Sequence, residues 1–509
     1  MANHRNVVLI LDEASVQSAT GVSFHLNPAV KHPENPVLIP GMPHEPDGLQ
    51  VNWPSCVIYD PEDKLFRCWY HGRDAIQYDG QTHPQRKPFA NWLGRIWETC
   101  YAESEDGVHW IKPPLGQYEH HGRDTNVIMS DYRRSGTGVG FDHGSDLACV
   151  WRNPVPESRT EKFLALFTEI GADAHGQRTF KIFRKVLYAS PDGRQWTRRK
   201  VAYDASSSDD DLPAPRLVDV NTVIYDADEA DPQKRIKAYG QSDRPTRPGR
   251  GNRGVALLTA PDYFSMRCED QIVLLEGQEP YEDEIHWSSA TKLQNGYFMI
   301  VHDSSRFDWQ HGLEPPRSDL RLALSPDGLN FRRIHPDTPL VLRGRKAEFD
   351  ANQLVAGSCV EFRDEVFIYY HGAPCIYRPW PRTPHGEWEG KETAPIPSQF
   401  RASNVYPTFM GLAVLPRDRF AYAEGPGSVT THPLTLKGED LWINADGDAM
   451  EVALLDLAGR QVNRGCVTHE RRRTIYRRLL WTGPTPEGQY RLKIDLRKGE
   501  RLYSIQCGE

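Results

Sequence analysis

The chain has 509 residues, of which 39% are hydrophobic and 26% charged, with a formal net charge of −8. This length predicts two or more domains, or one large repeat architecture with an appendage. The acidic balance argues against nucleic acid or an anionic membrane as the main partner. The 13 tryptophans, 21 tyrosines and 18 phenylalanines suit β-strands and carbohydrate-binding surfaces.

Targeting and redox signals are few. The N-terminal apolar run, Val7–Leu11, is too short for a signal-peptide core, and no run approaches a membrane span. We therefore expect a cytoplasmic protein. The nine cysteines include no Cys-x-x-Cys pair, and their odd number excludes a complete disulfide set, so buried free thiols are expected.

One turn recurs along the chain: Ser-x-Asp-Gly, followed two or three residues later by an aromatic or other apolar residue. Full copies begin at Ser104, Ser190 and Ser325, and degraded copies surround Asp262 and Asp418. Asp-Gly between two apolar runs is a strong hairpin signal, because glycine adopts φ > 0 without steric cost. Each copy follows a strand-like run, so the same hairpin is predicted about five times.

Around these hairpins the chain divides into five units, each predicted to be a four-stranded meander. The predicted strands are 55–59, 65–70 and 97–102, with the hairpin that follows them, in unit one; 147–151, 162–168, 181–189 and 196–202 in unit two; 222–225, 235–239, 254–258 and 271–275 in unit three; 288–293, 296–302, 320–324 and 331–334 in unit four; 355–362, 365–370, 408–415 and 420–424 in unit five. Helical periodicity is scarce. The pattern predicts an all-β fold, a five-bladed β-propeller over residues 1–428 with an N-terminal extension, 1–40. A β-sandwich could use the same hairpins, but it would not explain five similar units.

The composition changes after a linker-like segment, Gly425–Ser428. Short strands separated by turns predict a small C-terminal β-sandwich over residues 429–509. Its arginine run, 471–473 with 477–478, is expected on a solvated face. We expect this domain to supply no catalytic carboxylate, because polar residues do not cluster at its strand starts.

Polar residues concentrate where a propeller would gather them. Its innermost strands converge on one axis, so the starts of the first strands and the ends of the second strands meet at one mouth. A single Asp there is more often a turn former, but the fold would bring the whole set together. The candidate substrate-binding residues are Asn52, Trp53, His71, Arg73, Glu169, His286, His302, Asp303 and His371.

The chemistry that fits such a mouth is glycosidic bond cleavage. It needs two carboxyl groups across the bond, one held protonated and the other acting as nucleophile or base. No zinc-protease, phosphate-loop, dinucleotide or nucleophile-elbow motif is present. We therefore expect neither a cofactor nor a metal.

The chain resembles the five-bladed-propeller glycosidases, both the invertase and levanase group and the arabinanase and xylosidase group. The resemblance lies in the order of the units, in the phrases Val57–Tyr70 and Tyr101–Trp110, and in the trailing sandwich. It covers most of residues 40–425 at the level of pattern. It implies a glycoside hydrolase with one acidic residue in unit one, another in unit two or three, and an acid Glu near unit four.

By position, the resemblance points to Asp219 as the middle carboxylate and Glu284 as the acid. In unit one, Asn52 stands where those families place an Asp, and their Trp-x-Asn-Asp-Pro-Asn type of motif is absent. Asp350, from unit five, is therefore the third candidate catalytic carboxylate, and Asp47 could also substitute.

Two alternatives from other classes stay open. One is a non-catalytic carbohydrate-binding propeller. The other is a propeller polysaccharide lyase, with His or Tyr as base and Arg neutralising a uronate. A close carboxylate pair in the mouth would favour the hydrolase. The expected partner is a carbohydrate, and a homo-oligomer is compatible with the sequence.

Overall fold

The computed structural model is all-β and describes residues 6–73, 98–120, 122–130, 146–156, 159–172, 178–206, 217–242, 254–275, 283–285, 287–306, 318–345, 347–374, 407–447, 450–472, 475–484 and 487–508. The helical elements of these residues are three short 3₁₀ helices, Glu13–Ser15, Arg159–Glu161 and Pro232–Lys234. No helix within the described ranges is long and apolar enough to cross a membrane.

The strands follow one another in chain order. They are β1 Asn6–Leu9, β2 Ser18–Thr20, β3 Ser23–Leu26, β4 Val30–Lys31, β5 Gln50–Asp60, β6 Leu65–Arg73, β7 Glu98–Ser104, β8 Glu119–His120, β9 Arg123–Asp124, β10 Val127–Ser130, β11 Asp146–Arg152, β12 Phe163–Ala172, β13 Arg178–Ser190, β14 Thr197–Asp204, β15 Leu217–Tyr225, β16 Ile236–Ser242, β17 Gly254–Ala260 and β18 Arg267–Leu275. The remainder are β19 Asp283–Glu284, β20 Ser288–Lys292, β21 Phe298–Arg306, β22 Ser318–Ser325, β23 Arg332–Arg333, β24 Gln353–Phe362, β25 Glu365–Ala373, β26 Phe409–Pro416, β27 Ala421–Glu424, β28 Gly427–Thr430, β29 Leu434–Lys437, β30 Leu441–Asp446, β31 Glu451–Leu455, β32 Gln461–Arg472, β33 Tyr476–Trp481, β34 Glu487–Leu496 and β35 Arg501–Cys507.

Five antiparallel meanders correspond to the five predicted units. Their strand orders are β5-β6-β7-β10, β11-β12-β13-β14, β15-β16-β17-β18, β20-β21-β22-β23 and β24-β25-β26-β4. The prediction of strands in units two, three and four is confirmed, with ends that differ by a few residues. Alternating apolar residues and the turn signals between them were sufficient to predict these strands.

The outer strand of unit five corrects the sequence prediction. Residues 420–424 were expected there, but β27 pairs with β3 and β35 instead. Their place beside β26 is taken by β4, with Lys31 opposite Ala413. The turn after β26 has neither the serine nor the glycine of the repeated turn, and the strand that follows it joins another sheet.

The first strands of the five units lie side by side in a closed cycle: β5, β11, β15, β20, β24 and back to β5. Hydrogen bonds join several neighbours in this cycle. Val57 N donates to Ser358 Oγ at 2.8 Å, and Thr291 Oγ1 donates to Cys359 O at 3.2 Å. We call this arrangement the ring.

The repeated turns have one geometry, which follows from their sequence. In the second turn, Gly193 N donates to Ser190 Oγ at 2.8 Å, and the next two backbone N–H groups donate to Asp192 Oδ1 at 2.9 Å each. The turns at Ser104 and Ser325 repeat these bonds. The glycines have φ of 70° to 81°, the left-handed region that other residues avoid. The predicted hairpins between the outer strands are present at Ser190 and Ser325. In unit one the turn at Ser104 is followed by the isolated bridge Glu103–Ile111, and the outer strand β10 begins only at Val127.

An aromatic side chain of the preceding unit binds each full turn. Trp69 Nε1 donates to Gly193 O at 2.6 Å, Tyr239 Oη to Gly328 O at 2.5 Å, and Tyr369 Oη to Gly107 O at 2.9 Å. These aromatic residues lie on the second strands of units one, three and five, and the turns belong to units two, four and one. The bonds therefore connect consecutive units around the ring.

A twelve-stranded sheet holds the C-terminal residues together with the N-terminal strands β1, β2 and β3. The degraded fifth turn, which contains Asp418, contacts both unit four and this sheet. Asp418, at φ 59°, accepts hydrogen bonds from Asn295 of unit four at 2.7 Å and from Tyr476 of β33 at 2.8 Å. The expected solvated arginine face is wrong for Arg477, which is buried and donates to Gly447 O. A separate sandwich with a boundary at 428/429 stays a prediction.

Cysteines within the described residues are free thiols, and six of these eight are buried. Burial raises the pKa of the Cys56 thiol to about 12, so it stays protonated and unreactive at neutral pH. The expectation of buried free thiols is confirmed for these six.

The first prediction tests the aromatic contact. A methyl group added at Gly193 would lie 2.6 Å from Trp69 Cζ2, whereas one at Gly116, also at positive φ, meets nothing within 4 Å. Both Ala variants incur backbone strain of about 1–2 kcal/mol. Gly193→Ala should lose a further ~1–3 kcal/mol through overpacking. Equal losses in the two variants, measured by denaturant unfolding, would contradict the proposed contact.

The second prediction concerns acid stability. Burial alone would raise the pKa of Asp327, but hydrogen bonds from Asn330, Leu329 and Ser325 outweigh it and lower that pKa to about 2. A lowered folded-state pKa stabilises the fold above the ordinary Asp pKa, and this contribution disappears as the pH falls through the folded value. Wild type should therefore exceed Asp327→Asn in Tm at pH 6, and the gap should close between about pH 4 and pH 2. A gap that is independent of pH would exclude a role for the charge.

Candidate functional site

One end of the ring collects the predicted polar residues. The antiparallel pairs Gln50–Arg73, Ser288–His302 and Gln353–Ala373 place the start of each first strand beside the end of its second strand. We call this the polar end; the repeated turns lie at the other end. Its buried polar side chains include Gln50, Asn52, His71, Arg73, Glu98, Glu169, Asn221, Gln241, His302, Asp303, Gln353 and His371.

Neighbouring first strands enter the ring in the same direction. Ser288 Oγ donates to Asn221 Oδ1 at 3.4 Å, and Ala290 N donates to Thr222 Oγ1 at 3.0 Å. Residue numbers rise together along the two strands, so β15 and β20 run parallel. Their N-terminal ends therefore share the polar end.

The first strands are irregular near this end. Their pairing shifts between Asn52 and Cys56, between Leu147 and Cys149, and at two places in β15. The two shifts in β15 flank Asp219, between Leu217 and Asp219 and then between Val220 and Thr222. Such bulges re-aim side chains and recur beside active sites.

Unit one contributes Asn52, His71 and Arg73. His71 lies opposite Asn52, and its Nε2 accepts a 3.1 Å hydrogen bond from Leu147 N of unit two. This bond requires a lone pair on Nε2, so the Nδ1 atom carries the proton. Trp53 lies in β5, but its side chain is outside the described part of the structure.

Units four and five contribute two neutral imidazoles. His302 Nδ1 donates to Asp303 O at 3.0 Å, and His371 Nδ1 donates to Val51 O at 3.1 Å, since carbonyl oxygens only accept. Burial lowers the pKa of each histidine to about 3. The Asp303 carboxylate accepts a hydrogen bond from Trp287 N at 2.6 Å, which links β21 to the residue that precedes β20.

The candidate carboxylates have different surroundings. Asp219 is half-buried opposite Gln241 on the irregular strand β15. Glu169 is buried and ion-paired with Arg198 at 3.0 Å. Glu284 forms β19 with Asp283 and pairs with Ser305, while its side chain lies outside the described residues, as does all of His286. The structure thus brings the backbones of Asp219 and Glu284 to the same end of the ring, and it leaves the distance between their carboxyl groups open.

Asp350 belongs to a duplicated structural cluster. Tyr370 Oη donates to its Oδ2 at 2.9 Å, and the Lys31 ammonium lies 2.5 Å from the same oxygen. In unit one, Asp47 Oδ2 accepts from Tyr70 Oη at 2.7 Å and pairs with Lys112 at 2.5 Å.

The duplication extends to the preceding loops. Both have the form Gly-x-x-x-Glu-x-Asp, at 41–47 and at 344–350, and in both the glutamate accepts from the backbone N–H three residues before it. Two equivalent carboxylates with the same lysine and tyrosine partners favour an anchoring role over a catalytic one for Asp350. The repeated seven-residue spacing is visible in the sequence, although the prediction did not use it.

Several buried polar atoms at the polar end have no hydrogen-bond partner among the described residues. Asn221 Nδ2, Gln353 Oε1 and His371 Nε2 are uncharged atoms of this kind, one donor and two acceptors, and Asp47 Oδ1 is a charged one. Buried polar groups in folded proteins are nearly always paired, so such atoms at one place indicate a ligand or bound water. Asn221 and Gln353 follow Asp219 and Asp350 by two and three residues in the sequence, but the sequence prediction did not select them as site residues.

A metal centre is not built by these residues. Within the described ranges, no group of three or more His, Cys, Asp and Glu side chains is arranged to hold a metal ion.

Comparisons with known proteins give weak structural likeness. No protein-family model and no curated protein sequence matches the chain. Similar solved structures include a glycoside hydrolase, with 11% identity over 76% of this chain and 94% of that one and a TM-score of 0.44. A glycosyl hydrolase from Bacteroides ovatus has 12% identity over 82% and 98%, with a TM-score of 0.43. An N-acetylgalactosamine deacetylase from F. plautii has 12% identity over 77% and 95%, with a TM-score of 0.42. At these TM-scores the likeness assigns neither a fold nor an activity.

The third prediction tests the anchoring role of Asp350. Asp350→Asn leaves the Lys31 ammonium without its counter-charge, and breaking a buried pair typically destabilises by about 3–5 kcal/mol. We expect a large loss of unfolding free energy in Asp350→Asn and a similar loss in the matched variant Asp47→Asn. Turnover at a temperature where both variants are folded should stay close to that of wild type. A stable Asp350→Asn protein without turnover would restore Asp350 as a catalytic carboxylate.

Proposed function

We propose that this protein is a glycoside hydrolase whose reaction takes place at the polar end of a five-bladed β-propeller. The closed cycle of first strands supports the propeller, since each unit would be one blade and each first strand its innermost strand. We also propose that residues 429–509 form the accompanying sandwich and supply no catalytic group.

The observation that carries the proposal is the set of unpartnered buried polar atoms. Asn221 Nδ2, Gln353 Oε1 and His371 Nε2 come from the third and fifth units, and all three are uncharged. Leaving such atoms unpaired typically costs about 1–3 kcal/mol each. A molecule rich in hydroxyl groups satisfies donors and acceptors alike, because every hydroxyl both donates and accepts. A sugar is the metabolite class that matches this demand.

The catalytic pair in this proposal is Asp219 and Glu284. Asp219 precedes Asn221 by two residues on β15. Glu284 lies in β19, four residues before Ser288 of β20, and Ser288 contacts Asn221. Both therefore enter the polar end from neighbouring strands. Glu284 would protonate the leaving oxygen, and Asp219 would act as nucleophile or as base for water.

The remaining sequence candidates have supporting roles in the proposal. His71 and Asp303 make bonds that join neighbouring strands of the polar end, His302 donates to the carbonyl of the next residue, and Arg73 is buried at the same end. Asn52, Trp53, Glu169 and His286 stay proposed sugar contacts. Asp350 is proposed as an anchor in place of its predicted catalytic role.

The fourth prediction separates a hydrolase from a binding protein. Aryl glycosides and neutral glycans are screened with wild type, and Asp219→Asn and Glu284→Gln are then compared on an active substrate. Both substitutions keep size and shape, so folding should survive. Turnover should fall roughly 10²–10⁴-fold, the usual contribution of a general acid or base.

Asp303→Asn is the matched control, since it also neutralises a buried carboxylate at the polar end. It should alter stability more than turnover. Near-normal turnover in both Asp219→Asn and Glu284→Gln would refute the site. Sugar binding by wild type without turnover of any glycoside would favour the carbohydrate-binding alternative.

A further inference from the structure

The His371 ring has a fixed orientation at the polar end. It lies on β25 of unit five and donates from Nδ1 to Val51 O of unit one at 3.1 Å. Thr408 Oγ1 donates to the same carbonyl oxygen at 2.7 Å. Because the carbonyl can only accept, the proton resides on Nδ1 and the lone pair on Nε2.

The lone pair on Nε2 is buried and meets no partner among the described residues. Burial, together with the nearby His71 ring, holds the pKa of His371 near 3, so the imidazole stays neutral at physiological pH. Nε2 therefore carries a free lone pair and can accept a hydrogen bond at neutral pH.

A second acceptor lies on the same side of the same sheet. Val355 is directly opposite His371, and Gln353 precedes Val355 by two residues on the same strand. Residues two apart on a strand share a face. Gln353 Oε1 is buried and, like His371 Nε2, has no partner in the described part of the chain. Two unpaired acceptors on one face can be satisfied by donors from a ligand or from bound water.

We propose that His371 Nε2, assisted by Gln353 Oε1, accepts a hydrogen bond from the C6 hydroxyl of the bound sugar and thereby selects neutral glycosides over uronates. The inference rests on the proposed function and names its substrate class. A hydroxyl group can donate to this pair. A carboxylate can only accept, so its lone pairs would face those of His371 and Gln353. A pair of acceptors at this position disfavours the polysaccharide lyase alternative, which requires a uronate.

The fifth prediction uses sugars that differ only at C6. Full-length protein labelled with ¹⁵N-histidine is titrated with D-galactose against D-galacturonate, and with D-glucose against D-glucuronate. The His371 Nε2 resonance is assigned by its loss in His371→Asn. It should move upfield with a neutral sugar, as an imidazole nitrogen does on accepting a hydrogen bond, and should stay in place with the uronates.

The variants His371→Asn and His371→Gln separate the acceptor from the anchor. An asparagine amide can still donate to Val51 O but has nothing at the Nε2 position, whereas a glutamine can place an acceptor there. We expect His371→Asn to fold normally and to lose roughly threefold to tenfold in affinity for the neutral sugar, the range of one net hydrogen bond. His371→Gln should recover part of that loss.

Four outcomes overturn the inference. The first is equal or tighter binding of the uronates. The second is binding or turnover of a neutral glycoside with no shift of the Nε2 resonance, which rejects this assignment and leaves the proposed function standing. The third is a shift produced by Ca²⁺ and not by any sugar, which makes Nε2 part of a cation site. Absence of both sugar binding and turnover rejects the inference and the proposed function together.

Discussion

The hydrogen bond from an aromatic side chain to the carbonyl of a turn glycine is the interaction on which the ring depends. It is made by Trp69, Tyr239 and Tyr369, each buried and each reaching the turn of the next unit. The glycine is needed twice, once for its positive φ and once because a Cβ would collide with the incoming ring. Each of these turns therefore connects two consecutive units.

The two ends of the ring handle buried polarity differently. At the end of the repeated turns, buried charges are paired between units. Asp60 of unit one lies 2.7 Å from the Lys162 ammonium of unit two, and Asp226 of unit three pairs with Lys292 of unit four. At the polar end, by contrast, neutral donor and acceptor atoms are buried without partners. Ion pairs also occur at the polar end, as between Asp350 and Lys31, but the unpartnered neutral atoms there support the proposal that a ligand binds at that end.

The sequence predicts the parts of the fold that are encoded locally. Strands of units two to four, the three equivalent turns and the burial of polar residues at strand starts follow from periodicity and from Asp-Gly signals. The outer strand of unit five was not predictable in this way. Val30–Lys31 is two residues long, and it is defined by pairing with Ala413 and Val414, which are remote in the chain. The pairing of residues 421–424 with β3 and β35 likewise depends on contacts between remote parts of the chain.

In the site too, the positions of residues were predictable from the sequence, whereas their long-range contacts were not. That His71, His302, Asp303 and His371 lie at strand ends was expected, because position along a strand determines it. The hydrogen-bond partners of His71, Asp303 and His371 were not, because those partners lie outside the strand that carries each residue. Asp350 illustrates the point: its acidic side chain suggested catalysis, whereas Lys31 and Tyr370, unknown to any local pattern, favour anchoring.

We propose that the polar end binds and cleaves a neutral sugar chain between Asp219 and Glu284. A crystal structure of Glu284→Gln, slowed in turnover but unchanged in shape and soaked with a neutral oligosaccharide that wild type cleaves, tests this proposal. We expect a sugar ring at the polar end, with one hydroxyl within hydrogen-bond distance of His371 Nε2 and the Asp219 carboxylate beside the glycosidic bond. A sugar bound at the turn end of the ring or on the C-terminal sheet, with the polar end holding water alone, would contradict it.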